Sequence, residues 1–233
     1  MDLAVVLAGA GEGRRMGALG PKLLIEISGR TALARVVEAF LQVASVGEIV
    51  AVVPAGLLPD AQQALARVAN PRGVPIVATP GGAKRQESVL LGIKALSSDL
   101  PYVAVHDVAR VLIRPALIER VLAAARATGA AIPTVPIRDS VKEVVDGRIA
   151  HSVPREHLAV AQTPQIFARD ILIRAHARAL ERGEIATDDA ALVESIGVAI
   201  AAVPGDPSNL KLTSPGDLIV FEALIQFGSR MEA

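Results

Sequence analysis

A chain of 233 residues that is 52% hydrophobic but only 2% aromatic must build its core from Ala, Val, Leu and Ile, which suits one α/β domain spanning residues 1–233, with parallel strands covered by Ala-rich helices. Its 24 basic and 24 acidic side chains cancel, so no overall field is available to hold nucleic acid, and the lack of cysteine removes disulfides and thiolate metal sites, in keeping with a cytoplasmic setting. No apolar run approaches the roughly 18 residues of a membrane span, and the opening Met1-Asp2-Leu3 has no basic n-region, so neither an anchor nor a secretory leader is expected.

The first apolar run, 3–8, reads as a strand and opens into the most informative segment of the chain, V-V-L-A-G-A-G-E-G-R-R-M-G-A-L-G-P-K over 5–22. Gly9, Gly11, Gly13 and Gly17 let backbone N–H groups close on phosphate oxygens that a Cβ would hold off, and Arg14, Arg15 and Lys22 add mobile positive charge. The spacing is neither of the two familiar phosphate loops. No glycine is followed by Lys and a hydroxyl residue, and the third glycine of a dinucleotide fingerprint would fall on Arg14 or Met16. A nucleoside-triphosphate cradle is the functional reading, and a turn with solvated arginines the bland one.

Helical periodicity follows over 31–43, where Leu33, Val36, Val37, Phe40 and Leu41 share a stripe, then a strand over 48–53, a helix over 57–68 and a strand over 74–78. A second loop, G-G-A-K-R-Q-E-S-V from 81 to 89, precedes a helix over 86–96; its glycines permit close approach of a planar base, and Ser88 can donate and accept hydrogen bonds. The strand over 102–106 ends in H-D-V-A-R, placing Asp107 to meet a metal or sugar hydroxyl and Arg110 a phosphate, unless the two form a structural salt bridge. A helix over 115–127, with Pro115 at its start and Gly129 past its end, leads to a strand over 130–135. Alternation of this kind predicts right-handed crossovers and ligands at the carboxyl ends of the strands.

Residues 138–155 break the rhythm with an Asp146-Gly147 turn between alternating polar and apolar residues, a β-hairpin pattern. Because an isolated ribbon is only marginally stable, this arm is expected to pack on a second subunit rather than on its own sheet. Beyond it come Q-T-P-Q (162–165), a helix over 169–182, T-D-D (187–189), a strand over 198–203 and D-P-S-N-L-K-L-T (206–213). Taken singly, Thr187 reads as a helix N-cap and Lys211 as a solvated charge. His106, His151, His157 and His176 show no zinc-binding spacing, so any metal should be a hard cation held largely by phosphate oxygens.

Taken in order, the glycine-rich loop, P-K, G-G-x-x-R-x-x-S-V, H-D-x-A-R, the D-[ST]-x-K arm, T-P-Q, T-D-[DE] and N-x-K-x-T resemble the 2-C-methyl-D-erythritol 4-phosphate cytidylyltransferase family over nearly the whole chain. The resemblance implies a Rossmann-like three-layer nucleotidyltransferase fold, with a mostly parallel central sheet, helices on both faces and a protruding β-hairpin arm that makes a homodimer. It also implies transfer of CMP from CTP to the substrate phosphate, with Mg²⁺ as cofactor held mainly by the CTP phosphates and Asp107 as its candidate protein ligand. By position, Arg15 and Lys22 match the residues that stabilise the transition state. Ala8, Gly9, Ala10, Gly11, Gly13, Gly82, Arg85 and Ser88 match the CTP-binding segments, and Asp107, Arg110, Ser140, Arg155, Thr187 and Lys211 match positions that hold methylerythritol phosphate. Ser140 replaces the usual Thr, Val108 and Val111 the usual Ala and Pro, and Ala83 an often acidic residue. A cytidylyltransferase for another polyol phosphate such as ribitol 5-phosphate, and a non-catalytic CTP-binding regulator, are the alternative functions. A phosphate monoester is anionic near neutrality and needs no general base, so His106 is expected to be structural.

Overall fold

In the computed structural model, which describes residues 1–11 and 20–231, side-chain alternation along the first strand decides the layering. Leu3, Val5 and Leu7 of β1 (Leu3–Ala8) enter one apolar cluster, while Ala4 and Val6 enter a second on the opposite side. Two very short strands, β2 (Glu26–Ile27) and β3 (Arg30–Thr31), lead into α1 (Ala32–Leu41), whose N-cap Thr31 accepts a hydrogen bond from the Ala34 N–H. Then β4 (Val46–Val53), α2 (Leu58–Ala66), β5 (Ile76–Pro80), α3 (Arg85–Ala95), β6 (Tyr102–Asp107) and α4 (Pro115–Thr128) alternate as the apolar periodicity predicts. Pro115 lies in the first turn of α4, and Gly129, at φ 84°, ends it in the left-handed region.

The second half interleaves β7 (Ala130–Pro136), β8 (Val141–Val145), β9 (Arg148–Val153), β10 (Ala159–Ala161), β11 (Gln165–Ala168), α5 (Arg169–Arg182), α6 (Asp189–Ser195), β12 (Ala201–Pro204) and α7 (Asp217–Met231). The main sheet runs β10-β7-β11-β6-β1-β4-β5, with β12 also paired to β7. Strands β5, β4, β1 and β6 are parallel, and β11 slips between β6 and β7 antiparallel to both. Helices α1, α2 and α4, with Phe221 of α7, cover the Leu3, Val5 and Leu7 face; α3, α5 and α6 cover the other. The fold is therefore the expected three-layer α/β arrangement. Strands β2, β3, β10 and β11 and helices α6 and α7 fall outside the sequence expectation. All but α7 are seven residues or shorter, too brief for periodicity to register.

In order of appearance, the parallel strands stand third, second, first, fourth across the sheet, so the winding direction reverses between β1 and β6. The crevice at such a reversal is where open α/β sheets bind ligands. Helix α3 is drawn tightly over this point. At Gly92 a Cβ would come within 2.5 Å of Val6 and 2.7 Å of Val52, so only glycine lets the helix lie so low on β1 and β4.

The hairpin forms as its turn predicts. Asp146 and Gly147 take φ of 50° and 74°, the two positive values that a tight turn matched to the strand twist requires. Strands β8 and β9 pair with each other and with no other strand among the described residues, and Val144, Val145 and Ile149 are more than half exposed.

Candidate active site

Where β1 and β6 end side by side, a cavity of about 500 Å³ opens. Its walls come from segments remote in sequence: Ala8, Gly9, Ala10 and Gly11 after β1, Lys22 and Leu23, the 81–85 loop with Ser88, Asp107 and its successors after β6, and Lys211. The two glycine loops approach closely, with the Gly81 backbone against the Ala10 side chain. A Cβ on Gly81 would collide with Ala10 and lie 2.8 Å from Ser88 Oγ, so this position requires glycine. The Ser88 hydroxyl accepts from the Gly82 N–H at 3.1 Å and donates to the Lys84 carbonyl at 2.9 Å, folding the loop onto the first turn of α3. Glu87 accepts from the Ala83 N–H at 3.1 Å, so the position where Ala stands for an acidic residue is held by a carboxylate one helical turn on.

Charge in the cavity is organised around Asp107. Its Oδ1 lies 3.1 Å from Arg85 Nε and its Oδ2 2.6 Å from Lys211 Nζ. Burial by itself would raise this carboxyl's pKa, but the Arg85 and Lys211 cations hold it down to about 2, so it is ionised at neutrality. Lys211 is thus an ion-pair partner rather than the solvated charge that its neighbours suggest. Arg85 bridges two carboxylates: its Nη1 is 2.7 Å from Asp189 Oδ2, and Asp189 in turn accepts from His176 Nε2 at 3.0 Å. Burial pushes against the charged form of Arg85, and Asp189 and Asp107 more than reverse it, raising its pKa. On the other wall Lys22 Nζ donates to the Leu212 carbonyl at 3.0 Å, which ties the glycine loop's exit to the Lys211 segment.

A buried polar scaffold holds these parts in register. Gln162 donates to the Asp206 carbonyl at 2.8 Å and accepts from the Asp206 N–H at 3.2 Å, fixing the turn that delivers Lys211. Thr163 Oγ1 accepts from the Asp107 N–H at 3.1 Å, and because the Arg110 carbonyl facing His106 Nε2 can only accept, the Thr163 hydroxyl donates to the unprotonated Nδ1 of the neutral ring at 2.9 Å. His106 Nε2–H donates to the Arg110 carbonyl at 3.2 Å, a neutral tautomer with both nitrogens satisfied. Burial lowers the His106 pKa to about 4. Gln165 ties Asp188 and the Ala190 N–H, anchoring the T-D-D segment. The Q-T-P-Q motif therefore works as a clamp on three other motifs.

Ala8, Gly9, Ala10, Gly11, Lys22, Gly82, Arg85, Ser88, Asp107 and Lys211 of the expected site come together around this cavity. Arg110 does not line it; its Nη1 donates to the Asn209 carbonyl at 2.8 Å and its Nη2 to the Ala161 carbonyl at 3.3 Å. Thr187 is exposed, and the N-cap of α6 is Asp188, which accepts from the Ala191 N–H, so Thr187 is not the cap. Ser140 and Arg155 are exposed at the base of the arm, where Arg155 donates to the Arg138 carbonyl. Gly13 and Arg15 lie outside the described residues. Sequence reasoning passed over Asp189 and His176; the available signal was a histidine on the apolar stripe of α5 between Leu172, Ala175 and Ala179.

A family profile described as 2-C-methyl-D-erythritol 4-phosphate cytidylyltransferase matches residues 3–227. The 2-C-methyl-D-erythritol 4-phosphate cytidylyltransferase of Bacillus licheniformis is 40% identical over 232 residues, covering 100% of this chain and 99% of that relative. The bifunctional enzyme IspD/IspF of Nitrobacter hamburgensis is 41% identical over 225 residues, which is 94% of this chain and 54% of the relative. A crystal structure of 2-C-methyl-D-erythritol 4-phosphate cytidylyltransferase from Thermus thermophilus superposes with a TM-score of 0.80 at 36% identity, over 97% of this chain and 100% of that one. The cavity is built from the ordered motifs, and the likeness runs from the first strand into the last helix, so the chain belongs to the 2-C-methyl-D-erythritol 4-phosphate cytidylyltransferase family.

Proposed function

We propose that the chain transfers CMP from CTP to 2-C-methyl-D-erythritol 4-phosphate, giving 4-diphosphocytidyl-2-C-methyl-D-erythritol and pyrophosphate in non-mevalonate isoprenoid biosynthesis. The observation that carries this reading is the convergence of Lys22, Arg85 and Lys211 on a glycine-walled cavity at the winding reversal of the sheet. An oxygen of the acceptor phosphate attacks the α-phosphorus, a new P–O bond forms, and the bond to the β-phosphate bridging oxygen breaks as pyrophosphate leaves. No proton has to be removed. The obstacle is repulsion between two anions and the charge that accumulates on the bridging oxygen, and fixed positive charge answers both.

In this reading the loop from Ala8 to Gly11, with Gly13, wraps the triphosphate, and Gly82, Arg85 and Ser88 hold the nucleotide beside it. Lys22, with Arg15, stabilises the transition state, while Lys211 and Arg155 dock the acceptor phosphate, and Asp107, Arg110, Ser140 and Thr187 serve the rest of the acceptor. Asp107 is the carboxylate lining the cavity, and no cluster of three acidic or histidine side chains that could hold a metal occurs among the described residues. That donor set fits Mg²⁺ held by phosphate oxygens with Asp107 as its protein ligand. When bound, Mg²⁺ would supply further neutralisation of the triphosphate.

The arm's role belongs to the same proposal. A two-stranded ribbon exposing Val144, Val145 and Ile149 is completed by packing on a second copy, giving a homodimer in which Ser140 and Arg155 stand near the partner's cavity. No described helix is long and apolar enough to cross a membrane, and a cytoplasmic location suits the cysteine-free composition. Pyrophosphate release on mixing the protein with CTP, Mg²⁺ and 2-C-methyl-D-erythritol 4-phosphate tests the activity. Silence with that acceptor and turnover with ribitol 5-phosphate would reassign the substrate, and silence with both would leave a CTP-binding regulator.

A further inference from the structure

Helix α5 carries a histidine where an apolar residue would cost less. His176 is 1% exposed on the face that packs beneath the sheet, and its Nδ1 is buried with no hydrogen-bond partner among the described residues. A core position that leaves one ring nitrogen unsatisfied is unfavourable unless the other nitrogen makes a bond that matters. Here Nε2 donates to Asp189 Oδ1 at 3.0 Å, and Asp189, fully buried, spends its other oxygen on Arg85 Nη1 at 2.7 Å. With Nε held by Asp107 at 3.1 Å, the guanidinium is gripped at two of its three nitrogens. Nη2 makes no hydrogen bond to a described residue and is not among the buried unsatisfied atoms, so it is left accessible at a side chain that lines the cavity.

We propose that His176 and Asp189 are positioning residues that orient Arg85 toward the nucleotide, acting from outside the cavity through a buried relay from α5 to α6 to α3. The relay fixes the plane of a planar, five-donor group whose usefulness to a phosphate or base depends on its orientation. His176 selects which Asp189 oxygen remains for Arg85, and Arg85 presents its free edge as a result. Neither His176 nor Asp189 touches substrate.

The inference rests on the assignment of Arg85 to the nucleotide, and the test separates the two. Steady-state kinetics with CTP varied at saturating acceptor are measured for His176→Leu, His176→Gln, Arg85→Ala and the double variant His176→Leu/Arg85→Ala, with thermal unfolding of each. His176→Leu, which keeps the packing but drops the donor, is expected to lower kcat/KM for CTP roughly tenfold, mainly through KM. His176→Gln, whose amide can donate to Asp189, should recover most of that loss. In the Arg85→Ala background the leucine substitution should change kcat/KM by less than about twofold. A His176→Leu enzyme whose melting temperature falls while its kinetics stay native would show a purely structural histidine and overturn the proposal. So would a leucine effect of undiminished size in the absence of Arg85. Native KM for CTP in Arg85→Ala itself would overturn both the relay and the assignment of Arg85.

Discussion

Replacing Asp107 with asparagine isolates what its place between two cations is worth. Its oxygens lie 3.1 Å from Arg85 Nε and 2.6 Å from Lys211 Nζ, and the residue is 7% exposed. Although burial acts to raise its pKa, the cations bring it to about 2, against 3.8 for an unperturbed aspartate. The folded value is the lower one, so the folded state binds fewer protons than the unfolded chain; the resulting stability is complete above about pH 4 and is lost as pH falls toward 2. At ~1.4 kcal/mol per pH unit, that depression corresponds to about 2–3 kcal/mol. Lys211 can turn to water once its partner is gone and Arg85 keeps Asp189, so the loss should not grow to that of a stranded buried charge. Asp107→Asn is therefore expected to lower the unfolding free energy by about 2–3 kcal/mol at pH 7, with the gap to the native protein roughly halved by about pH 3. Urea titrations of the two proteins across that range measure it. A difference that stays constant from pH 7 to pH 3 refutes the ion-pair account and leaves packing or backbone effects as the cause.

Three further outcomes follow from the site and the arm. Lys22→Ala should reduce kcat by roughly 10²-fold or more, the loss expected when a preorganised charge at the reacting phosphate disappears; near-native turnover would remove Lys22 from the reaction. His106→Asn should retain a substantial part of kcat and the native shape of the pH–rate profile between pH 5 and 8, because burial lowers the His106 pKa to about 4 and both ring nitrogens serve the scaffold; loss of a limb that the native enzyme shows in that window, together with collapse of kcat in a folded variant, would make it a proton-transfer group. Ile149→Glu, at a side chain 67% exposed on the arm, should shift sedimentation from dimer to monomer at micromolar concentration, and an unchanged dimer would place the interface elsewhere.

The parts of the molecule that were readable from sequence are those whose signal is local. Apolar runs and 3.6-residue stripes locate the parallel strands and most of their covering helices, Pro115 and Gly129 mark the ends of α4, and Asp146-Gly147 marks the hairpin turn. Strands β10 and β11 are three and four residues long, and what makes them strands is the partner they meet across the sheet. The same boundary runs through the site. The glycine loops and Lys22 announce themselves by composition, whereas Lys211 looks like a solvated charge because Asp107 lies 104 positions away in the chain. Asp189 is equally remote from Arg85 and sits in a segment whose T-D-D pattern equally suits a helix cap. Ion pairs closed by topology leave no trace in neighbouring residues: the ordered set of motifs brings Arg85, Asp107 and Lys211 to one site but gives neither their pairing nor the part of Asp189.

A cavity meant for two anions faces a difficulty before they arrive: cations gathered in a partly desolvated space repel one another and lose hydration, and each would turn outward if left alone. Asp107 and Asp189 resolve this by holding Arg85 and Lys211 as ion pairs in place, so the positive groups are oriented before substrate binds. The two carboxylates differ in what they can release. Asp189 is sealed from solvent and tied to His176, so its bond to Arg85 is shielded from water, whereas Lys211 is 42% exposed and, as the proposed acceptor-phosphate partner, is free to exchange Asp107 for phosphate. Such an exchange would trade one charge-assisted hydrogen bond for another and, in the proposed reading, free an Asp107 oxygen for a divalent cation. On the proposed assignment, this difference in burial matches a fixed charge toward the nucleotide and an exchangeable one toward the acceptor, and it gives a reason for pairing a planar guanidinium with a flexible ammonium.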